Sequence, residues 1–300
     1  MKLLTLLLLL GVTSLTESEV VQSFKSKCPQ FFFLGHLPSA KRVATPTVLR
    51  GRKYKQICQR WKNQYRFATL YDTKSRIPVY SAYTYNSSNQ FPRDKYWKVE
   101  PQLDLPWNRE NSNMASESEM NASLTSTFEH QALVKDYSGD CCGKITRGHL
   151  FPKSYAADKD QGDSTFTLTN IAPQTQECNN QWAEQVEEPM LSYIKTKCTL
   201  RESFPAYIVT GVVPGNTWLE IKRGNRAIKQ GVNIPTHYWT AFTCANSTGK
   251  VSHAYIAQQS HCKDNRQTKF KKLEMTVAKL EEKLKDLYNQ SFSVFRNTKI

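Results

Sequence analysis

No apolar run in this chain reaches the roughly 18 residues that a membrane-spanning helix needs, which excludes a multispanning membrane protein. No Gly-rich phosphate loop, G-x-S-x-G or H-E-x-x-H occurs, so the motif routes to an ATPase, a serine hydrolase or a zincin are closed. A G-x-y period, an internal repeat and a βαβ alternation are also missing, which excludes a collagen and favours an α+β fold over a doubly wound one. Cysteine is sparse, eight in 300 residues, too few for a disulfide miniprotein. None of the cysteines forms a C-x₂-C pair, so structural zinc has no support. Acidic residues are in deficit, 26 Asp and Glu against 41 Lys and Arg, for a net charge of +15.

What is present describes a folded, basic protein. Hydrophobic residues make up 39% and aromatics 11% of the chain, too much for a disordered sequence. The length suits one large domain or two ordinary ones. A +15 surface attracts polyanions such as nucleic acid, heparin-like sugars or acidic membranes. The excess is distributed along the chain rather than held in one block.

Residues 1–18 read as a signal peptide. Lys2 is followed by an apolar stretch at 3–10, interrupted only by Thr5, and then by small and polar residues to Ser18. Cleavage is expected near Ser18, with Ser14 as the other site. That route predicts a secreted, extracellular protein with no integral membrane association. In an oxidising compartment an even count of cysteines favours disulfides; eight allow 105 pairings, and spacing does not choose among them. Asn86, Asn121, Asn246 and Asn289 each begin an N-x-S/T sequon.

Along the chain, 54–66 is basic with Ile57 and Trp61 four apart, which predicts a helix. Strands are expected over 67–71 and 78–85 with a turn at 72–76, and again over 144–150, 164–169, 207–213 and 237–244. Residues 108–119 are polar and predict an exposed loop. Trp182, Val186, Met190 and Ile194 recur every four residues, one stripe of a helix over 179–197 that Pro189 should kink. Phe270, Leu273, Val277, Leu280, Leu284 and Leu287 form a short heptad seam. It fits equally an amphipathic helix laid on its own domain and a homo-oligomer contact. The divisions expected are 1–18, 19–262 for the main domain, and 263–300 for a C-terminal amphipathic helix and tail.

The chemistry-bearing stretch is Thr146-Arg147-Gly148-His149, then Asn170-Ile171-Ala172-Pro173-Gln174, then Asn179-Asn180-Gln181-Trp182, with Glu187 further on. His149 follows an Arg-Gly pair, which sets an imidazole beside a cation where glycine permits close approach. Asn170 is expected to end a strand. Asn179 is expected to open a helix, where its amide can cap the helix or face a metal. This set resembles the DNA/RNA non-specific endonuclease family, whose pattern is Asp-Arg-Gly-His, then Asn-x-x-Pro-Gln, then Asn and Glu six and fourteen residues after that Pro. Those two positions are Asn179 and Glu187. Tyr96-Trp97-Lys98-Val99-Glu100-Pro101, Tyr207-Ile208-Val209-Thr210-Gly211 and Ile234-Pro235-Thr236-His237-Tyr238-Trp239 resemble further family segments, so the likeness runs over about 65–257. The stretch 67–83 narrows it to the endonuclease domain-containing 1 group. Two departures stand out. Thr146 occupies the place of the family Asp, and Trp182 lies nine rather than ten residues after Pro173, which keeps Asn180 as an alternative to Asn179.

The resemblance implies an α+β fold with a mixed sheet core carrying a ββα-metal finger, disulfide-stabilised, with a C-terminal amphipathic helix. It implies metal-dependent hydrolysis of DNA and RNA, with Mg²⁺, Mn²⁺ or another divalent cation held by Asn179. His149 would be general base, Arg147 would neutralise transition-state charge, Glu187 would orient a water of the metal shell, and Asn170 would position that shell or the phosphate. Arg93 and Lys95 are candidate phosphate contacts. The competing expectation is a weak or inactive secreted nucleic-acid or polyanion binder of the same fold, for which Thr146 is the main argument.

Overall fold

The computed structural model describes residues 19–37, 40–106, 112–138, 144–259 and 270–295. The signal segment 1–18 and Cys141, Cys142 and Cys262 lie outside the described residues. In chain order the elements used below are β1 (Val20–Val21), β2 (Tyr54–Trp61), β3 (Gln64–Asp72), β4 (Ile77–Tyr85), β5 (Ile145–His149), α1 (Lys159–Ser164), β6 (Ile171–Thr175), α2 (Gln176–Trp182), α3 (Glu188–Lys197), β7 (Ala206–Val213), β8 (Thr217–Arg223), β9 (Arg226–Ile234), β10 (His237–Asn246), β11 (Gly249–Gln258), β12 (Lys272–Met275) and α4 (Val277–Leu287).

An eight-stranded sheet in the order β1-β2-β3-β4-β7-β10-β11-β12 forms the centre. Its ladders among the described residues are antiparallel. The class is α+β as expected; the mixed sheet is corrected to an antiparallel one, in which short hairpins join β2 to β3, β3 to β4 and β10 to β11. Alternate residues of β7 divide the core. Ile208 and Val212 join the cluster holding Phe242, Tyr83 and Trp182, while Val209 and Val213 join the one holding Trp239, Tyr80 and Leu280. The first face carries the β5–β6 hairpin with α2 and α3; the second carries the N-terminal segment and α4.

Glycine is required where the ring of Trp239 crosses the sheet. Gly211 pairs with Trp239 across β7 and β10, and a Cβ there would lie 2.3 Å from the indole. The disulfide Cys28–Cys58 ties the N-terminal segment to β2, and Cys198–Cys244 ties the end of α3 to β10.

Several expectations change. Residues 54–66 are strand, not helix: β2 turns into β3 at Lys62 and Asn63, whose φ values of 50° and 62° make the left-handed two-residue hairpin turn. Ile57, Cys58 and Gln59 are all buried, so β2 is covered on both faces and shows no clean alternation. The 164–169 stretch is the end of α1 and a turn. Ser164 and Thr165 hydroxyls bond back to the carbonyls of Gln161 and Gly162, the local pattern that competes with a strand. Of the 108–119 stretch, 108–111 lies outside the described residues; in the rest Met114 and Ser116 are buried and Ala115–Ser116 is a short strand rather than exposed loop.

The C-terminal seam is not one helix. Leu273 lies on β12, which adds to the sheet edge, and α4 begins at Val277 behind the Thr276 cap. Val277, Leu280 and Leu284 are buried in the second core cluster. The Trp239 indole N–H donates to Tyr288 Oη, which donates to the Val212 carbonyl. The chain then folds back, with Phe292, Val294 and Phe295 buried.

Candidate active site

β5 and β6 are an antiparallel pair in which Thr146 faces Gln174, Arg147 faces Pro173 and His149 faces Ile171. Thr175 caps α2 by accepting from the Cys178 N–H, so the helix starts at Gln176 and Asn179 lies in its second turn rather than opening it. Strand, strand and helix thus form one ββα unit. Asn170 does not end a strand; it closes a 3₁₀ turn just before β6.

Gly148 is the tightest point of the unit. A Cβ there would lie 2.4 Å from Gln174 Oε1 and 2.9 Å from Tyr238 Oη. That hydroxyl donates to the Ala172 carbonyl at 2.9 Å, pinning the hairpin to β10. Arg147 and His149, two residues apart, share the opposite strand face from Thr146 and Gly148.

His149 is half-buried against aromatic rings, with centroids 5.6 Å from Trp97 and 4.9 Å from Phe166. Its Nε2 is buried and has no hydrogen-bond partner among the described residues. The Arg147 backbone favours the protonated ring slightly, and Nε2 is the ring nitrogen left buried without a partner. Burial, with the charge of Arg93 behind it, pushes the imidazole pKa down to about 3. His149 is neutral throughout the physiological range, with Nε2 free of partners among the described residues.

Two cations frame it. The Arg147 guanidinium lies 4.6 Å from the Trp97 centroid and that of Arg93 5.2 Å from Phe166. Desolvation lowers the Arg147 pKa, and Arg93 adds repulsion. Arg93, Arg147 and His149 are thus brought together; Lys95 is exposed and takes part in none of these contacts among the described residues. Trp97, on which both Arg147 and His149 rest, is the organising residue that sequence reading left without a role; its position in the Trp97-Lys98 segment was the available signal.

Asn170 is a clamp. It is fully buried, and its Oδ1 accepts from the Phe151 N–H and the Ser81 hydroxyl while its Nδ2 donates to the carbonyls of Phe151 and Thr165. That fills the four hydrogen-bonding positions of a primary amide. Asn170 fixes the backbone just beyond His149.

Asn179 is half-buried, and its Nδ2 donates to Thr146 Oγ1 at 3.1 Å. Its neighbour Asn180 is exposed. Between α2 and α3 lies a π turn, Ala183–Glu187, in which the Glu188 N–H reaches the Ala183 carbonyl. Pro189 explains it: proline cannot donate to the Gln185 carbonyl, which instead accepts from Lys272 Nζ at 2.9 Å. The expected kink is therefore a widened turn. It brings Glu187 near the Trp182 indole although the two are five residues apart. Burial raises the Glu187 carboxyl pKa to about 8, offset in part by Trp182. Tyr155 Oη donates to the Glu187 carbonyl at 2.6 Å.

No cluster of three or more His, Cys, Asp or Glu able to hold a metal occurs among the described residues. The set present is one amide oxygen on Asn179, one carboxyl on Glu187 and an orphaned imidazole nitrogen on His149. A hard cation such as Mg²⁺ keeps several waters and needs few protein ligands, so this sparse donor set fits it and does not fit zinc.

The sequence profile of the DNA/RNA non-specific endonuclease family matches residues 44–298. The human Endonuclease domain-containing 1 protein is 33% identical over 242 residues, 80% of this chain and 42% of that protein. The mouse protein of the same name is 31% identical over 243 residues, 79% and 43% respectively. The chain therefore spans less than half the length of these curated relatives. A chain in the crystal structure of an EndoG/EndoGI complex is similar at 13% identity and a TM-score of 0.47, covering 87% of this chain and 89% of that one.

Proposed function

The chain belongs to the DNA/RNA non-specific endonuclease family, and from that premise we propose that it is a secreted, sequence-non-specific endonuclease with His149 as general base. The observation that carries the reading is the buried, unpartnered Nε2 of His149, set against Trp97 and Phe166, the rings that also carry the Arg147 and Arg93 guanidiniums. Such a nitrogen removes a proton from a water attacking phosphorus. Arg147, held on Trp97, and Arg93, held on Phe166, supply charge to the phosphate and its transition state. Asn170 keeps His149 in place through Phe151. Asn179 would hold a divalent cation and Glu187 would orient a water of its shell; the cation when bound supplies Lewis-acid charge beside the scissile phosphate. Recognition through phosphates carries no base code, so DNA and RNA are both substrates and sequence preference is weak.

Secretion is supported by the two disulfides. No helix among the described residues is long and apolar enough to cross a membrane. Because β12 and α4 share the core of the large sheet, we place the end of the catalytic domain near Phe295 rather than at 262.

The test is His149→Ala on the secreted full chain. Cleavage of plasmid should fall ~10²-fold or more while binding of the same DNA persists. Turnover close to that of the unmodified protein places the base elsewhere.

A further inference from the structure

We propose that Thr146, which stands where the family has aspartate, is a positioning residue that fixes which end of the Asn179 amide faces the cation site; the proposal rests on Asn179 being the cation ligand. Thr146 Oγ1 donates to the Gln174 carbonyl at 2.9 Å. A carbonyl oxygen can only accept, so the single hydroxyl proton is committed there. Toward Asn179, 3.1 Å away, the hydroxyl then presents lone pairs alone, and the amide must offer it Nδ2. Oδ1 is thereby turned to the other side, where it accepts no hydrogen bond among the described residues.

The orientation matters because an asparagine amide is nearly symmetric in shape. Without a fixed acceptor for Nδ2 the side chain both turns over and changes rotamer freely, and a cation must fix its end and its direction before the oxygen, the only ligand, is in place. The relay is built on fixed parts. Gln174 and Thr146 are directly paired across β6 and β5, and Gln174 Nε2 reaches the Cys178 carbonyl of α2 at 3.3 Å. One hydroxyl thus links both strands to the helix that bears the ligand. A carboxylate at 146 would accept from Nδ2 but could not donate to the Gln174 carbonyl; threonine does both and adds no charge.

The experiment is a titration of the metal-free full chain with Mn²⁺, read by the electron paramagnetic resonance signal of the free ion. It compares the unmodified protein with Thr146→Val, Thr146→Ser, Thr146→Ala and Asn179→Ala, with circular dichroism to show each is folded. Thr146→Val keeps the shape and loses the acceptor, so Mn²⁺ affinity should fall roughly 10-fold. Thr146→Ser should stay within about twofold of the unmodified protein, a rescue that a purely steric role for Thr146 does not give. Should the valine variant fail to fold, Thr146→Ala makes the same comparison. Affinity unchanged in a folded Thr146→Val or Thr146→Ala protein, with Asn179→Ala weakened, overturns the positioning role alone. Affinity unchanged in Asn179→Ala, or no Mn²⁺ binding by the unmodified protein, overturns the ligand reading and the proposal with it.

Discussion

Replacing Leu280 by alanine separates the two fates open to a C-terminal apolar seam. Leu280 has no exposed surface and packs in the cluster that holds Trp239, Tyr80 and Phe292. Removing its three outer carbons loses their transfer free energy and leaves a cavity between α4 and the sheet. Such changes cost about 2–5 kcal/mol. Taking ~3 kcal/mol, and about 2–4 °C per kcal/mol for a domain of this size, the melting temperature should drop by roughly 6–12 °C. Leu287, 37% exposed at the end of the same helix, is the control, and its alanine variant should melt within a few degrees of the unmodified protein. The assay is thermal circular dichroism beside sedimentation at two protein concentrations. The opposite result, an oligomer that dissociates in Leu280→Ala while the melting temperature holds, would show that the seam joins copies of the chain. Because α4 covers the sheet face away from the β5–β6 hairpin, the folded fraction of Leu280→Ala should cleave at the normal rate.

Gly148→Ala should disable the hairpin, since its Cβ meets Gln174 and Tyr238 at 2.4 and 2.9 Å. Overpacking of about 1–3 kcal/mol with cleavage lost in soluble protein is the expected outcome, and an active, equally stable variant refutes the packing argument. The pH profile has a definite sign. His149, with a pKa near 3, stays neutral from pH 5 upward, whereas Glu187, raised to about 8, is protonated below that and ionised above it. Cation affinity should therefore rise with pH and level off above about 8, and Glu187→Gln should abolish that rise; a rise that survives the substitution belongs to another group. Affinity for DNA should fall steeply with added salt and vary little between oligonucleotides, because phosphate contacts dominate a +15 protein; a shallow salt slope with sharp base discrimination would contradict it.

The parts of the molecule legible in the sequence are those where one local pattern had one physical cause. The stripe Trp182, Val186, Met190 and Ile194 is buried on the first core face, as a four-residue repeat requires. β3, β4, β7 and β10 follow their runs of β-branched and aromatic residues. What was hidden depends on partners distant in the chain. β2 looks helical because both its faces are covered, one of them through Cys28. Asn170 is expected to position the metal shell or the phosphate, and its bonds to Phe151, Ser81 and Thr165 appear only in the folded chain. Pro189 announced a break, but the π turn that replaces a kink needs Lys272, 83 residues further along, to take the released carbonyl. Thr146 read as a loss because only its missing charge was visible; the hydroxyl's two partners appear once β6 and α2 are in place.

Cleavage of supercoiled plasmid by the purified protein, in Mg²⁺ and again with excess EDTA, tests the nuclease chemistry most directly. Conversion to nicked and then linear DNA in Mg²⁺, stopped by EDTA and reduced ~10²-fold or more in His149→Ala, is the expected result. Cleavage that continues unchanged in EDTA, or no cleavage by folded protein that still binds the plasmid, would contradict it.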